Sequence, residues 1–288
     1  MSNDYEADIP RALTIAGSDS GGGAGIQADL KTFAAMGVYG CSAITAVTAQ
    51  NTLEVTDWLA MPPELVAQQI DSVMSDIGAG AVKTGMLANA AIIETVAAKL
   101  REFGVEQIVV DPVMVAKGGH KLLEDNAIAA MVETLLPLAS VVTPNLPEAE
   151  VLVGAPIASW DDARAAAARI VAMGARSVVV KGGHFEHEQT STDLYYDGHN
   201  FREYNAIRVR SKNTHGTGCT FASGIAAGLA RGSSMSDAIA MAKSYVTLAI
   251  QHAYPIGRGQ GPVHHFYRYW QPVGPKYRPG VRVQGKAN

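Results

Sequence analysis

The chain has 288 residues, 48% of them apolar and 17% charged, with a net charge of −4 at neutral pH. Such a composition supports one large core or two small ones, and it lacks the basic excess needed to bind a phosphate backbone, so nucleic acid is discounted as a partner. No segment approaches the roughly 18 uncharged apolar residues of a membrane span, and the opening MSNDYEADIPR has no apolar leader core, so neither insertion nor secretion is expected.

In chain order, the first expected strand is ALTIA (12–16), which runs into GSDSGGGAGIQADLK (17–31) and a helix over IQADLKTFAAMG. A glycine-rich turn of this kind lets backbone approach a ligand and aims free N–H groups at it. The dinucleotide fingerprint G-x-G-x-x-G fails, because its third glycine falls on Ile26, and Lys83-Thr84 follows Val82 rather than the glycine of a P-loop. A hydride-transferring dinucleotide enzyme is therefore rejected.

CSAITAVTA (41–49) reads as the second strand, with Cys41 a small buried residue at its start. Helices over 62–78, 89–104 and 160–174 open after Pro, Asn or Asp and close at Gly, alternating with strands at AVKTG (81–85), QIVVD (107–111), SVVTPN (140–145) and SVVVKGG (177–183). This alternation implies one α/β sheet of mostly parallel strands, covered by helices on both faces, with its ligand site at the strand C-termini. The stretch 184–193 is polar and reads either as a flap or as a surface loop. TDLYYDGHNFREYNAIRVR (192–210) reads as a small antiparallel hairpin turning at Asp197-Gly198 on the sheet edge, followed by helices over 218–231 and 235–252. Residues 11–270 are expected to form a single domain between an N-terminal tail (1–10) and a solvated C-terminal tail (271–288). Cys41 and Cys219 have no zinc-type spacing and form at most one bridge, which suits a reducing compartment and hence the cytoplasm.

The stretch NTHGTGCTFASG (213–224) is the most specific. Thr214, Gly216, Thr217 and Gly218 lead into a helix whose first turn offers unpaired N–H donors to an anion such as a transferring phosphoryl group. Cys219 lies in that positive end, where a thiol pKa is commonly lowered toward neutrality, so it is a candidate base; the plainer alternative is a small buried packing residue. Polar groups also gather at strand ends: Gln50-Asn51, Lys83-Thr84, Asp111, Asn145, Glu148 and Lys181. Each alone could be a cap or a surface residue, but their common edge points to one site. The carboxylates Asp111 and Glu148, with the amide of Asn145, suit Mg²⁺, and Lys181 suits phosphate charge.

With these residues assembled, the chain resembles the ribokinase-like superfamily and, within it, the hydroxymethylpyrimidine/phosphomethylpyrimidine kinases of thiamine biosynthesis. AGSDSGGGAGIQADLKTF, TAVTAQNT, VKTGM, VVDPVMVAKGG, TPNLPEAE, VVVKGGH, HGTGCTFASGIAAGLARG and GRGQGPVHHFY carry the likeness, in order, from residue 12 to about 267. The resemblance implies ATP–Mg²⁺ as donor, phosphorylation of hydroxymethylpyrimidine to its monophosphate and then its diphosphate, and a homodimer. By matching position it implies that Gln50 bonds the pyrimidine, with Gly17, Asp29 and Val47 nearby and Met86 and Val113 on the ring. Asp111 and Glu148 then hold the metal, and Asn145, Lys181 and Thr214 hold ATP and phosphate. Gly216, Thr217 and Gly218 form the anion hole, and Cys219 takes the place of the superfamily's catalytic Asp. The alternatives are a pyridoxine or pyridoxal kinase, which shares fold and donor, and a non-catalytic nucleotide- or vitamin-binding protein.

Overall fold

A computed structural model of the chain describes residues 9–114, 125–184 and 189–269. Nine strands form one sheet: β1 (Arg11–Asp19), β2 (Tyr39–Gln50), β3 (Val55–Ala60), β4 (Ala81–Thr84), β5 (Ile108–Val110), β6 (Val141–Val142), β7 (Val178–Lys181), β8 (Thr190–Tyr196) and β9 (Phe201–Ile207). Their spatial order is β3-β2-β1-β4-β5-β6-β7-β8-β9. The six from β2 to β7 are parallel, whereas β3 and the β8–β9 hairpin run antiparallel at the two edges. The order reverses at β1, which has β2 on one side and β4 on the other, the geometry that opens a crevice beyond the strand C-termini.

Successive strand residues face opposite sides. Ala12, Ala81, Val109, Val141 and Val179 therefore pack with α1 (Gly25–Ala35), α7 (Thr217–Ala230) and α8 (Met235–Gln251). Their neighbours Leu13, Val82, Ile108, Val110, Val178 and Val180 pack with α2 (Pro63–Met74), α3 (Ala90–Glu102), α4 (Asp125–Ala130), α5 (Leu146–Val153) and α6 (Trp160–Ala172). Because both faces are covered, the strands read as continuous apolar runs, and two separate cores result.

The expected strands, hairpin and long helices all lie where the pattern puts them, within a few residues at their ends. Three elements are additional. β3 pairs antiparallel with β2 along VTDWLA, whose half-exposed alternation is weak. Helix α5 is too short to show a helical period but begins at a capping box. The third is a helical stretch, α4 continuing as a π turn over Met131–Leu135. Of the polar stretch 184–193, residues 190–193 belong to β8, while 185–188 lie outside the described residues, as does the expected tail 271–288.

Candidate active site

The ends of the parallel strands put Asp19, Gln50, Thr84, Asp111 and Lys181 along one rim of the sheet. α7 starts against that rim. Its N-cap is Gly216, at φ 77°, in the left-handed region where a side chain is strained, and no side chain caps the first turn. A Cβ at Gly216 would also collide with the carbonyl oxygen of Gly23, so the glycine-rich loop and the start of α7 interlock. Thr217 Oγ1 donates to the carbonyl of Thr214 at 2.7 Å, closing the turn before the helix. The uncapped N–H groups beyond it form the electropositive end expected there.

Three charged groups meet beside this end. Lys181 Nζ lies 2.9 Å from Asp111 Oδ1 and 3.9 Å from Glu148 Oε2. Thr143 Oγ1 donates to the same Asp111 oxygen at 3.1 Å. A methyl group added at Gly218 would lie 3.4 Å from Lys181 Nζ and 3.8 Å from Asp111 Oδ2, so Lys181 and Asp111 stand directly at the first turn of α7. Burial alone would lower the pKa of Lys181, but the carboxylates of Asp111 and Glu148 more than offset it and keep the ammonium charged. Burial pushes Glu148 up to about 7, against the pull of Lys181.

Asn145 and Glu148 have a local duty as well. They form the capping box of α5: Asn145 Oδ1 accepts the Glu148 N–H, and Glu148 Oε2 accepts the Asn145 N–H, both at 2.8 Å. Among the described residues, the other carboxylate oxygen of Glu148 and the NH₂ of Asn145 take no part in this box. The capping alternative thus holds for both residues without removing them from the rim.

Cys219, the third residue of α7, is partly exposed. The expected lowering of its pKa is corrected by the structure. Burial pushes the thiol up to about 11, and the nearby Lys83 charge only partly opposes this, with Asp29 and Asp111 adding to the rise. The helix N-terminus contributes on the order of 1 kcal/mol, which is less than the loss of hydration. In the ligand-free protein Cys219 is a thiol, not a thiolate.

Beneath it lies a buried ion pair. Lys83 Nζ and Asp29 Oδ2 are 2.9 Å apart, and both side chains are 0% exposed. Asp29 also accepts from Thr14 Oγ1 at 2.6 Å and Ser223 Oγ at 2.5 Å, which ties β1, β4, α1 and α7 together. Burial would discharge Lys83, but the carboxylates of Asp29 and Asp111 outweigh it and hold it protonated. Asp29, which the resemblance places near the substrate, is fully buried, with both oxygens engaged by internal partners. Lys83, one of the polar strand-end groups expected on the rim, is instead fully buried beneath it.

The acceptor side is built differently. Met86 and Ala46 form a small apolar cluster with Trp58 and Val113 packed against it, and Gly17 lies so close that a methyl group there would be 3.1 Å from Met86 Sδ. Gly17, Met86 and Val113 therefore come together at one place on the rim. Val47 does not join them through its side chain, which is 44% exposed and pairs across the strand with Leu59. Gln50 stands at the end of β2, half-buried, with Oε1 3.2 Å from Thr48 Oγ1.

The glycine-rich loop is also corrected. Its N–H groups at Gly21, Gly23 and Ala24 donate not outward but to the carboxylate of Asp19, at 2.8, 3.0 and 2.8 Å. His215 Nε2 lies 2.9 Å from the same carboxylate. Burial would raise the pKa of Asp19, but His215 and the N–H groups of Ala24 and Gly21 hold it below the usual carboxylate value. Asp19 and His215 were legible only as neighbours of two glycine turns; what joins them is the fold.

The sequence profile of the family described as phosphomethylpyrimidine kinase matches residues 19–264. The chain is 51% identical to the hydroxymethylpyrimidine/phosphomethylpyrimidine kinase of Bacillus subtilis, over 90% of this chain and 95% of that one. It is 54% identical to the thiamine biosynthesis bifunctional protein ThiED of Geobacter sulfurreducens over 90% of its own length, and there it spans only 53% of the longer protein. Among solved structures, an ADP complex of Bacillus subtilis pyridoxal kinase superposes with a TM-score of 0.84 at 39% identity, covering 89% of this chain and 97% of that one.

Proposed function

The chain belongs to the phosphomethylpyrimidine kinase family, and from that premise we propose that it phosphorylates hydroxymethylpyrimidine to the monophosphate and then to the diphosphate in thiamine biosynthesis, with ATP as donor. The observation that carries this reading is the convergence of Lys181, Asp111 and the uncapped first turn of α7 at one point of the rim, with the Cys219 thiol next in the chain. Positive groups fixed where phosphoryl charge develops supply most of what a kinase needs, since the transition state is loose and requires little covalent chemistry.

In this mechanism Lys181 and the N–H groups after Gly216 receive the transferring phosphoryl group. Thr214 and Asn145 bound the nucleotide side, and Gln50 with the Met86 and Val113 cluster orients the acceptor. Cys219 meets the acceptor hydroxyl as a thiol hydrogen-bonded to it, and the hydroxyl proton passes to an oxygen of the transferring phosphoryl group as the P–O bond forms. Lys83 and Asp29 hold the thiol from beneath.

Magnesium fits the residues present. Among the described residues no three ligating groups come together, but two carboxylates, Asp111 and Glu148, flank one ammonium at the phosphate position. That suits an ion that keeps most of its waters and shares phosphate oxygens, and it does not suit an all-protein cage. Bound there, the ion would neutralise charge on the transferring group.

The protein is also expected to be a cytoplasmic homodimer. Both cysteines are free, as in a reducing compartment, and the edge strand β3 exposes Leu59 (69%) beside Val47 (44%) as an apolar cross-strand pair. Sedimentation of the protein and of Leu59→Glu tests this, a monomer in both cases counting against it.

The functional test is ATP consumption with Mg²⁺ and either hydroxymethylpyrimidine or pyridoxine, with the products identified. Successive mono- and diphosphate from the pyrimidine is the expected result. Turnover of pyridoxine alone would instead favour the vitamin B6 reading that the structural likeness to a pyridoxal kinase keeps open, and no turnover of either would leave a binding protein.

A further inference from the structure

The amide of Gln50 is flanked by His215 on one side and Thr48 on the other. His215 Nε2 lies 2.9 Å from Asp19 Oδ2 and 3.3 Å from the Gln50 amide nitrogen. One ring nitrogen cannot satisfy both: toward a carboxylate it must carry hydrogen, and toward an NH₂ group it must offer its lone pair. On the other flank, Thr48 Oγ1 lies 2.9 Å from the Ser18 carbonyl oxygen and 3.2 Å from Gln50 Oε1. Its single hydrogen goes to the nearer Ser18 carbonyl, so the Gln50 oxygen gains no full hydrogen bond there.

One change resolves both conflicts, a half-turn of the amide that exchanges its oxygen and nitrogen. His215 Nε2–H then donates to Asp19 as its shorter arm and to the Gln50 oxygen as the longer arm of a three-centre bond. The Gln50 NH₂ donates to Thr48 Oγ1, and Thr48 donates to Ser18. Asp19 decides the matter, because its Oδ2 already accepts the N–H groups of Gly23 and Ala24, an arrangement for an ionised carboxylate that a bare nitrogen lone pair at 2.9 Å would oppose. The His215 ring has little freedom to escape, since it fills the space where a Cβ on Gly23 would stand.

We infer that the Asp19–His215 pair fixes the Gln50 amide with its oxygen toward His215 and its NH₂ toward Thr48, and so sets the order in which the remaining acceptor and donor of that amide meet the substrate ring. Asp19 and His215 are positioning residues for ring choice. The inference rests on the proposed role of Gln50 against a pyrimidine. One lone pair and one N–H, side by side on a half-buried amide, match a ring edge that carries an amino group next to a ring nitrogen. A pyridine ring without that neighbouring pair satisfies only one of them, and the unpaired partner then counts against it.

The ligand-free protein tests the geometry without any assay. Labelled with ¹⁵N at histidine, its ring nitrogens are read by long-range proton–nitrogen correlation, and the His215 signals are identified by their loss in His215→Phe or His215→Gln. A hydrogen on Nε2 is expected; a lone pair on Nε2 would overturn the inference. In His215→Phe the KM for hydroxymethylpyrimidine should rise about tenfold, the loss of one oriented hydrogen bond, more than kcat falls and with the KM for ATP unmoved. An unchanged pyrimidine KM, or an equal rise in both, overturns the role in ring choice. Failure of the unaltered protein to phosphorylate the pyrimidine would remove the proposed function while the nitrogen spectrum still reports on the amide.

Discussion

The two halves of the rim solve different problems. From β5 to β7 the site is charged, with Asp111 2.9 Å and Glu148 3.9 Å from the Lys181 ammonium beside a helix end. From β1 to β2 it is nearly neutral at its surface, with a small apolar cluster around Met86 and one amide, Gln50, held by a hydrogen-bonded histidine. The charged half can stabilise phosphoryl transfer to many acceptors, whereas the neutral half can tell one ring from another. Under the proposed function, this division accounts for a likeness that extends to a pyridoxal kinase: the transfer half would be generic and the selecting half a handful of side chains.

The sharpest way to break the comparison is at Lys181. Lys181→Ala removes the cation at the phosphoryl position and leaves Asp111 and Glu148 facing each other, so kcat should fall about 10³-fold, on the order of 4 kcal/mol, with little change in KM for the pyrimidine. Steady-state kinetics decide it; a loss seen mainly in pyrimidine KM would erase the distinction between the halves.

Lys83 lies under both. Lys83→Met leaves the Asp29 carboxylate unpaired at 0% exposure and should cost about 3–5 kcal/mol of stability in urea unfolding. The double variant Lys83→Met with Asp29→Leu should recover most of it, because an apolar pair needs no partner charge. If the double variant is no more stable than the single one, the pair is not the source of the loss.

Cys219→Ser sharpens the comparison at the seam. The first phosphorylation should slow by about 10²-fold, and the second much less, since an ionised phosphate monoester presents no hydroxyl for the thiol to orient. Equal losses in the two steps would argue against the contact with the hydroxyl. The same thiol gives a pH signature: with its pKa pushed up to about 11, alkylation at Cys219 in the ligand-free protein should keep accelerating past pH 9.0, the ordinary thiol value, and a plateau below that point would reinstate a preformed thiolate.

How much of this was legible in advance differs by residue. Asp111 and Lys181 end strands whose apolar runs are plain, so their place on the rim follows from local pattern. Asn145 and Glu148 sit three apart before an apolar run, a capping signal that the structure honours while leaving both at the site. Asp29 was named only by the resemblance, and its burial against Lys83, Thr14 and Ser223 is set by partners on three other elements that no local spacing shows. His215 was passed over because its partner is 196 residues away.

The sequence by itself determined the alternation of strand and helix, the sheet with both faces covered, and the edge along which the polar strand-ends collect, since each depends on periodicity over a few neighbouring residues. Tertiary structure alone decided that Cys219 keeps its proton, that Asp29 is spent on Lys83, Thr14 and Ser223, and that Asp19 gathers the glycine-loop amides. Hydration loss and hydrogen-bond partnership are set by groups brought together across most of the chain, and no local spacing encodes them.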